Sequence, residues 1–162
     1  MRMLLAATAI IGMPAFAQGV APRLDLSTAE KIVSGCRAHA AAKQQSHAIA
    51  VHDIGGNPVM AVRTDGNSPG AMAFAGEKAK AAALWGFATS GMAEAVKETP
   101  GFAQAPFVVA VAGGVPVYAA DGRTLLGGVG ASGEAPADDE SCANAGIAAA
   151  GLLPQRKSGG SP

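Results

Sequence analysis

The stretch GGVPVYAADGRTLLGGVGASGEAPADDESCANAGIAAAGL, residues 113–152, decides the fold of this chain. It contains two apolar runs, Val115–Ala119 and Thr124–Ala131, which flank the dipeptide Asp121-Gly122. An Asp-Gly dipeptide between two apolar runs favours a type I′ turn. The two runs are therefore predicted to form a β-hairpin.

The second run is rich in glycine and is followed by a helix signal. Glycine packs poorly inside a strand, so the cluster indicates a bulge or the close approach of another backbone or a ligand. Pro136 suits the first turn of a helix, and acidic residues just after it would complement the positive end of the helix dipole. The glycines are Gly127, Gly128, Gly130 and Gly133, and the acidic residues are Asp138, Asp139 and Glu140.

Composition limits the class of protein. The chain has 162 residues, of which 49% are hydrophobic, and its 12 basic and 12 acidic side chains cancel. This length and apolar content are typical of one domain with a substantial core. Without a basic patch, and with one Trp and one Tyr, nothing predicts a nucleic-acid partner.

Residues 1–17 have the pattern of a secretory signal peptide. Arg2 supplies a positive charge, Met3–Met13 is almost entirely apolar, and Ala15-Phe16-Ala17 fits the cleavage rule. The apolar run is shorter than the ~20 residues that span a bilayer. We expect cleavage after Ala17, no membrane anchor afterwards, and a periplasmic or secreted mature protein.

Further along, the sequence predicts an α+β fold. A capping box at Ser27–Glu30 begins a first helix, Ala48–Asp53 and Pro58–Arg63 form a hairpin, and Ser68-Pro69 begins an alanine-rich helix. The apolar run Phe107–Ala112 is predicted to be a buried strand before the closing hairpin. The result is a largely antiparallel sheet of about five strands with helices packed on it. The domain covers residues 18–153, and the polar residues 154–162 are expected to form a mobile tail.

The two cysteines leave two interpretations open. Export to an oxidising compartment favours a disulfide between Cys36 and Cys142. Both positions fall on apolar helix faces, where a free thiol also behaves as a small hydrophobic side chain.

Five motifs in one order resemble the GlcG/HbpS-like family of haem-binding and haem-utilisation proteins, which includes the C-terminal domain of PduO-type corrinoid adenosyltransferases. The motifs are LSTAEKIV, VHDIGGNPVMAVRTDG, EKAKAAALWG, GGVPV and LLGGVGASGEAPADDESCANAGI, and they extend over residues 24–153. The resemblance implies a profilin-like fold in which the first and last helices lie together on the sheet, so that Cys36 and Cys142 are neighbours. It also implies homo-oligomers, from dimers to octamers, and haem as a cofactor.

The resemblance also suggests ligand-binding positions. Arg63 and Lys78 suit a carboxylate or a haem propionate, and the amides of Gly130–Gly133 suit an anion. Alternatively, Arg63 only pairs with Asp65 or Glu140, and the acidic residues only complement the helix dipole. The full set is Arg63, Asp65, Lys78, Gly130, Ser132, Gly133, Asp139 and Glu140.

Haem iron takes His, Met, Cys or Tyr as axial ligand, and of His39, His47 and His52 the candidates are His39 and His52. No cluster with the spacing of metal ligands appears.

The sequence predicts an exported protein that binds haem or a small organic acid, without an evident catalytic constellation. The alternative is an enzyme, in which Lys78 or Asp139 takes a proton from a hydroxy or keto acid held by Arg63, or an accessory protein.

Overall fold

The computed structural model describes residues 23–157. The predicted signal peptide, residues 1–17, lies outside the described residues. Along the chain the elements are α1 (Leu26–Ala42), β1 (Ala48–Asp53), β2 (Pro58–Arg63), α2 (Pro69–Trp85), α3 (Thr89–Glu98), a 3-10 turn (Pro100–Gln104), β3 (Gly114–Tyr118), β4 (Leu125–Ser132) and α4 (Pro136–Ala149).

The described strands form one antiparallel sheet in the order β2-β1-β4-β3, so the α+β prediction is confirmed with four strands rather than five. The missing strand is the apolar run at residues 107–112, which is a loop. Phe107 has a left-handed φ of 62°, and the side chains of Phe107 and Val111 are 50% and 37% exposed. An apolar run resembles a buried strand, but this one packs on the outside of α2, where Trp85 Nε1 donates to the carbonyl of Pro106 at 3.0 Å.

The closing hairpin forms as predicted, but its turn differs. A type I′ turn needs a positive φ at both central residues, and here Gly122 has one, at 69°, whereas Asp121 does not. The Asp121 carboxylate instead accepts from the backbone N–H of Arg123 at 2.8 Å and of Thr124 at 3.0 Å. These bonds hold a longer loop and lower the pKa of Asp121 to about 2.

The sheet lies between two helical layers. On one face α1 and α4 pack against each other, and their apolar side chains meet Ile49, Val51 and Val129 of the sheet. On the other face α2 lies across β4 and β1. Ala48 and Ala50 of β1 contact the small side chains of this helix. The predicted neighbourhood of the first and last helices is therefore confirmed.

The glycines of β4 allow α2 to approach the sheet at backbone distance. A Cβ atom at Gly128 would collide with the carbonyl oxygen of Ala79, and one at Gly130 with that of Ala75. This confirms the prediction that another backbone comes close to the glycine cluster.

The starts of α2 and α1 are each capped by a polar side chain. Ser68 caps α2 by accepting from the N–H of Ala71 at 3.1 Å, with Pro69 in the first turn as predicted. Helix α1 is capped by Asp25, which accepts from the N–H of Thr28 at 2.9 Å, and not by Ser27. Asp25 and Ser27 are both close enough to this helix start to cap it, and Asp25 forms the capping hydrogen bond.

The disulfide prediction is confirmed. Cys36 of α1 and Cys142 of α4 form a disulfide with a Cα–Cα distance of 4.6 Å, and both are fully buried. Small residues let the two helices come this close: a Cβ atom at Gly146 would lie 3.1 Å from a side-chain carbon of Ile32.

The chain end that the structure describes lies beside the hairpin. Leu153 pairs with Tyr118, and the backbone N–H of Lys157 donates to the carbonyl of Gly122 at 2.9 Å. Residues 158–162 lie outside the described residues, so mobility of the tail stays a prediction. Among residues 23–157, every helix is too short or too polar to cross a membrane.

Candidate functional site

A buried ion pair joins two of the predicted site residues. Lys78 Nζ of α2 lies 2.9 Å from Asp139 Oδ2 at the start of α4, and it also donates to the carbonyl of Ala131 at 3.1 Å. The two residues are 1% and 2% exposed. Burying an isolated charge is very costly, so each of these groups depends on the other.

His47 completes this cluster. Its Nδ1 lies 3.0 Å from Asp139 Oδ1, which also accepts from the N–H of Glu134 at 3.2 Å. A carboxylate oxygen can only accept, so Nδ1 donates the hydrogen bond to Asp139. The other ring nitrogen, Nε2, is buried without a hydrogen-bond partner in the described part of the chain.

Sequence reasoning did not single out His47 as a site residue. A usable signal existed, because alternation places His47 on the same face as Ile49 and Val51, which point into the core. A buried histidine needs a polar partner. The partner, 92 positions away, could not be identified from local pattern alone.

Lys78 and Arg63, the two residues predicted to bind a carboxylate or a haem propionate, have different partners. Lys78 is engaged by Asp139, as described, whereas Arg63 at the end of β2 is exposed and donates through Nη1 to the carbonyl of Asn67. Asp65 is also exposed, and its backbone carbonyl accepts from Ser46 Oγ at 2.8 Å. The alternative in which Lys78 or Asp139 takes a proton from an acid held by Arg63 stays a prediction.

The remaining predicted residues are part of the framework around this cluster. Gly130 pairs with both Ala50 and Gly114 within the sheet, and Ser132 is a buried residue at the end of β4. Gly133 has a φ of 134°, and a Cβ atom there would collide with Asn67 Oδ1. A ligand role for these amides stays a prediction.

Glu140 lies on another side of α4. Its Oε1 accepts from Ser90 Oγ of α3 at 2.9 Å, so it links α4 to α3. The alternative of an Arg63–Glu140 pair is not what the structure has, since Arg63 donates to Asn67.

The two histidines named as axial candidates differ in access. His39 on α1 is half-buried, and its Nε2 is buried without a partner within residues 23–157. His52 ends β1 on the face that α2 covers and is 8% exposed. Burial lowers the pKa of His52 below 6.5, although the backbone near Gly56 and the charges of Asp53 and Glu77 oppose this.

Gly76 opens a window in α2 above His52. Apart from the neighbouring backbone of α2 itself, His52 Nε2 at 4.0 Å is the only atom of the described residues within 4 Å of a Cβ atom built at Gly76. The missing side chain therefore leaves space at the tip of the imidazole. Lys80 follows one helical turn later and contributes to the low pKa of His52.

Within the described ranges, no group of three or more His, Cys, Asp or Glu side chains could hold a metal ion. Among residues 23–157, two candidate positions combine buried, chemically reactive side chains: the Lys78–Asp139–His47 cluster and the His52 window.

Comparison with known proteins identifies the family of this chain and solved structures with the same fold. Residues 24–148 match the family model described as haem degrading protein HbpS-like. A double mutant of HbpS from Streptomyces reticuli is 28% identical, with 88% of this chain and 97% of that chain covered and a TM-score of 0.72. A search of the curated proteins gives no match.

Two more distant structures share the fold alone. One is a complex of PduOC with haem, 22% identical, with 83% of this chain and 99% of that chain covered and a TM-score of 0.73. The other is protein ORFY of Klebsiella pneumoniae, 21% identical, with 86% and 97% covered and a TM-score of 0.73.

Proposed function

Since this chain belongs to the HbpS-like haem degrading protein family, we propose that it is an exported protein that binds haem. Support also comes from the PduOC–haem complex, whose protein shares this fold. The observation that carries the proposal in this chain is His52 Nε2 beneath the Gly76 window.

His52 fits an axial ligand chemically. A histidine ligates iron through a neutral ring nitrogen, and burial keeps the pKa of His52 below 6.5, so the ring is neutral at pH 7. Its Nδ1 is buried without a partner within residues 23–157, which leaves Nε2 as the nitrogen for a ligand.

Cations for the propionates lie on the same side of the sheet. Arg63 pairs with Ala48 across β1 and β2, so it shares the α2 face with His52, and Lys80 lies one turn beyond Gly76. Phe74, an exposed apolar side chain of α2, offers a surface for the porphyrin. Bound iron would supply redox chemistry, and these residues would hold and orient the group.

Titration of the purified chain with haemin tests the proposal, with a saturable Soret shift as the expected result. His52→Ala should weaken binding at least tenfold, and His39→Ala serves as the matched control. Loss of binding in the His39 variant alone would move the axial ligand to α1.

A pair of substitutions at Gly76 tests the window itself. Gly76→Ala places a Cβ at 4.0 Å from His52 Nε2, an ordinary contact, and should bind haemin like the parent. Gly76→Leu should fill the space and abolish the Soret shift. Leucine has a higher helix propensity than glycine, so this loss would not come from a weakened α2. Equal binding by both variants would show that haem does not enter here.

The family description also supports a second candidate function, haem degradation. Incubating the haemin-loaded protein with a reductant and oxygen distinguishes the two. A Soret band that persists supports binding alone, and its decay to a linear tetrapyrrole spectrum supports degradation.

Export is supported by the signal pattern at residues 1–17 and by the disulfide, which forms and persists in oxidising compartments. The mature chain should begin at Gln18. Cell fractionation followed by mass determination of the periplasmic or secreted chain tests this, and a full-length cytoplasmic chain would contradict it.

A further inference from the structure

Lys80 of α2 connects the His52 window to the loop at residues 105–113. It lies one helical turn after Gly76, so the two positions share one stripe of the helix surface. This stripe faces the β1–β2 hairpin, because a Cβ atom built at Gly56 would lie 3.1 Å from Lys80 Cγ. Lysine has a flexible four-carbon stem, so its ammonium group can reach in either direction along the stripe.

The ammonium group of Lys80 lies over the ring of Phe107, with Nζ 4.7 Å from the ring centroid. This distance is that of a cation–π contact, which is weak where the pair is exposed to water. Phe107 lines an open depression together with Leu84 and Trp85. These two residues follow Lys80 on α2, whereas Gly76 precedes it. The contact therefore draws the ammonium group towards the C-terminal end of α2 and away from the window.

The backbone of Phe107 is held in an uncommon conformation. Its φ of 62° lies in the left-handed region, where a bulky side chain is an outlier. Trp85 Nε1 fixes the preceding residue, since it donates to the carbonyl of Pro106 at 3.0 Å. The Phe107 side chain is 50% exposed, so burial does not explain its position. Conformations of this kind persist where the surroundings impose them, and they cluster at binding and switch regions.

Lys80 can pair with a haem propionate at the window only by leaving the ring of Phe107. The positions of Gly76 and Leu84 are about 12 Å apart along the helix axis, with Lys80 midway between them. A carboxylate forms charge-assisted hydrogen bonds with an ammonium group, whereas the face of a phenylalanine ring offers only its quadrupole. The propionate therefore wins this competition, but the loss of the cation–π contact reduces the net affinity.

We propose that Phe107 is a positioning residue of the haem site, which acts through Lys80 and weakens haem binding by holding the ammonium group away from the window. This inference rests on the proposed haem-binding function. Displacement of the Phe107 ring raises the affinity for haem, and by reciprocity haem binding frees the ring. The loop at residues 105–113 thus regulates the site without contact between Phe107 and the iron.

A double-mutant cycle with haemin tests the proposal. Phe107→Leu keeps the apolar bulk but removes the aromatic face, and should tighten haemin binding about threefold. Lys80→Met should weaken binding about threefold, and Lys80→Met/Phe107→Leu should bind like Lys80→Met alone. Phe102→Leu is the matched control, because Phe102 packs against Trp85 with ring centroids 5.1 Å apart and has no cation over its ring within the described residues. Its affinity should equal that of the parent.

Two further measurements separate this effect from a general change in the loop. Haemin dimethyl ester has no free carboxylate, so Phe107→Leu should not change the affinity for it. In NMR spectra without haemin, the ring of Phe107 should shift the side-chain protons of Lys80 upfield in the parent and not in Phe107→Leu.

Three results would overturn the proposal and leave haem binding intact. They are a haemin affinity that Phe107→Leu does not raise, an equal gain for the ester, and the absence of the upfield shift in the parent. Absence of a Soret shift in the parent would reject the proposed function itself, and this inference with it.

Discussion

Lys78 Nζ lies 2.9 Å from Asp139 Oδ2, and this buried ion pair joins helices from opposite faces of the sheet. Lys78 comes from α2 and Asp139 from the first turn of α4. Because Asp139 also holds His47, one carboxylate connects both helical layers to the residue that precedes β1. The cluster is therefore a structural connection as well as the orienting group for His47.

Lys78→Met should destabilise the fold by about 3–5 kcal/mol, because it leaves the Asp139 carboxylate buried without its cation. Urea unfolding measures the loss. The double variant Lys78→Met/Asp139→Asn should lose less than the sum of the single changes, since it removes both charges. Lys97→Met is the control, as Lys97 and Glu94 form a pair that is 70% exposed and worth about 0–1 kcal/mol. Equal losses at Lys78 and Lys97 would contradict this role.

Reduction of the Cys36–Cys142 disulfide should lower the melting temperature strongly. The bridge joins positions 106 apart in sequence, and the chain-entropy model assigns about 4–5 kcal/mol to a loop of this length. Thermal unfolding with and without dithiothreitol measures the effect, and Cys36→Ala/Cys142→Ala is the control that should not respond to reductant. Two alkylatable thiols in the denatured, unreduced chain would show that the bridge does not form.

Stability should depend on pH through His52. Its pKa in the folded chain is below 6.5, first because of burial and also because of Lys80, with Asp53 and Glu77 opposing. Below 6.5 the unfolded chain therefore binds the proton more readily, so stability is fully present above 6.5 and is lost as the pH falls towards the folded pKa. Urea unfolding above and below 6.5 should show a smaller loss for His52→Gln than for the parent. An identical pH dependence in both would reject this assignment.

Self-association should depend on the exposed apolar patch formed by Leu84, Trp85, Pro106 and Phe107. Three of these side chains, Leu84, Trp85 and Phe107, are large and 39%, 39% and 50% exposed. Burying such a surface against a second copy would remove apolar area from water. We expect the mature chain to be a dimer or larger by light scattering and Phe107→Ser to shift it towards monomer. A parent chain that is monomeric at micromolar concentration would contradict this.

Local sequence was sufficient for much of the fold. The bounds of β1 and β2 agree with the prediction, since turn residues at Gly55-Gly56-Asn57 and alternating or apolar runs are local signals. The Ser68-Pro69 start of α2 and Pro136 in α4 were also predictable, because capping depends on residues three or four positions apart. The glycines of β4 indicated close backbone contact, although not which helix makes it.

The sequence by itself determined the α+β class, the antiparallel hairpins, the family and the presence of two cysteines on apolar helix faces. Only the tertiary structure decided that residues 107–112 form an exposed loop, that Cys36 meets Cys142, and that Lys78, Asp139 and His47 converge. The reason is distance along the chain: Asp139 is 61 positions from Lys78 and 92 from His47. Which side chains meet across such separations depends on how the two helical layers pack on the sheet, and no local pattern encodes that.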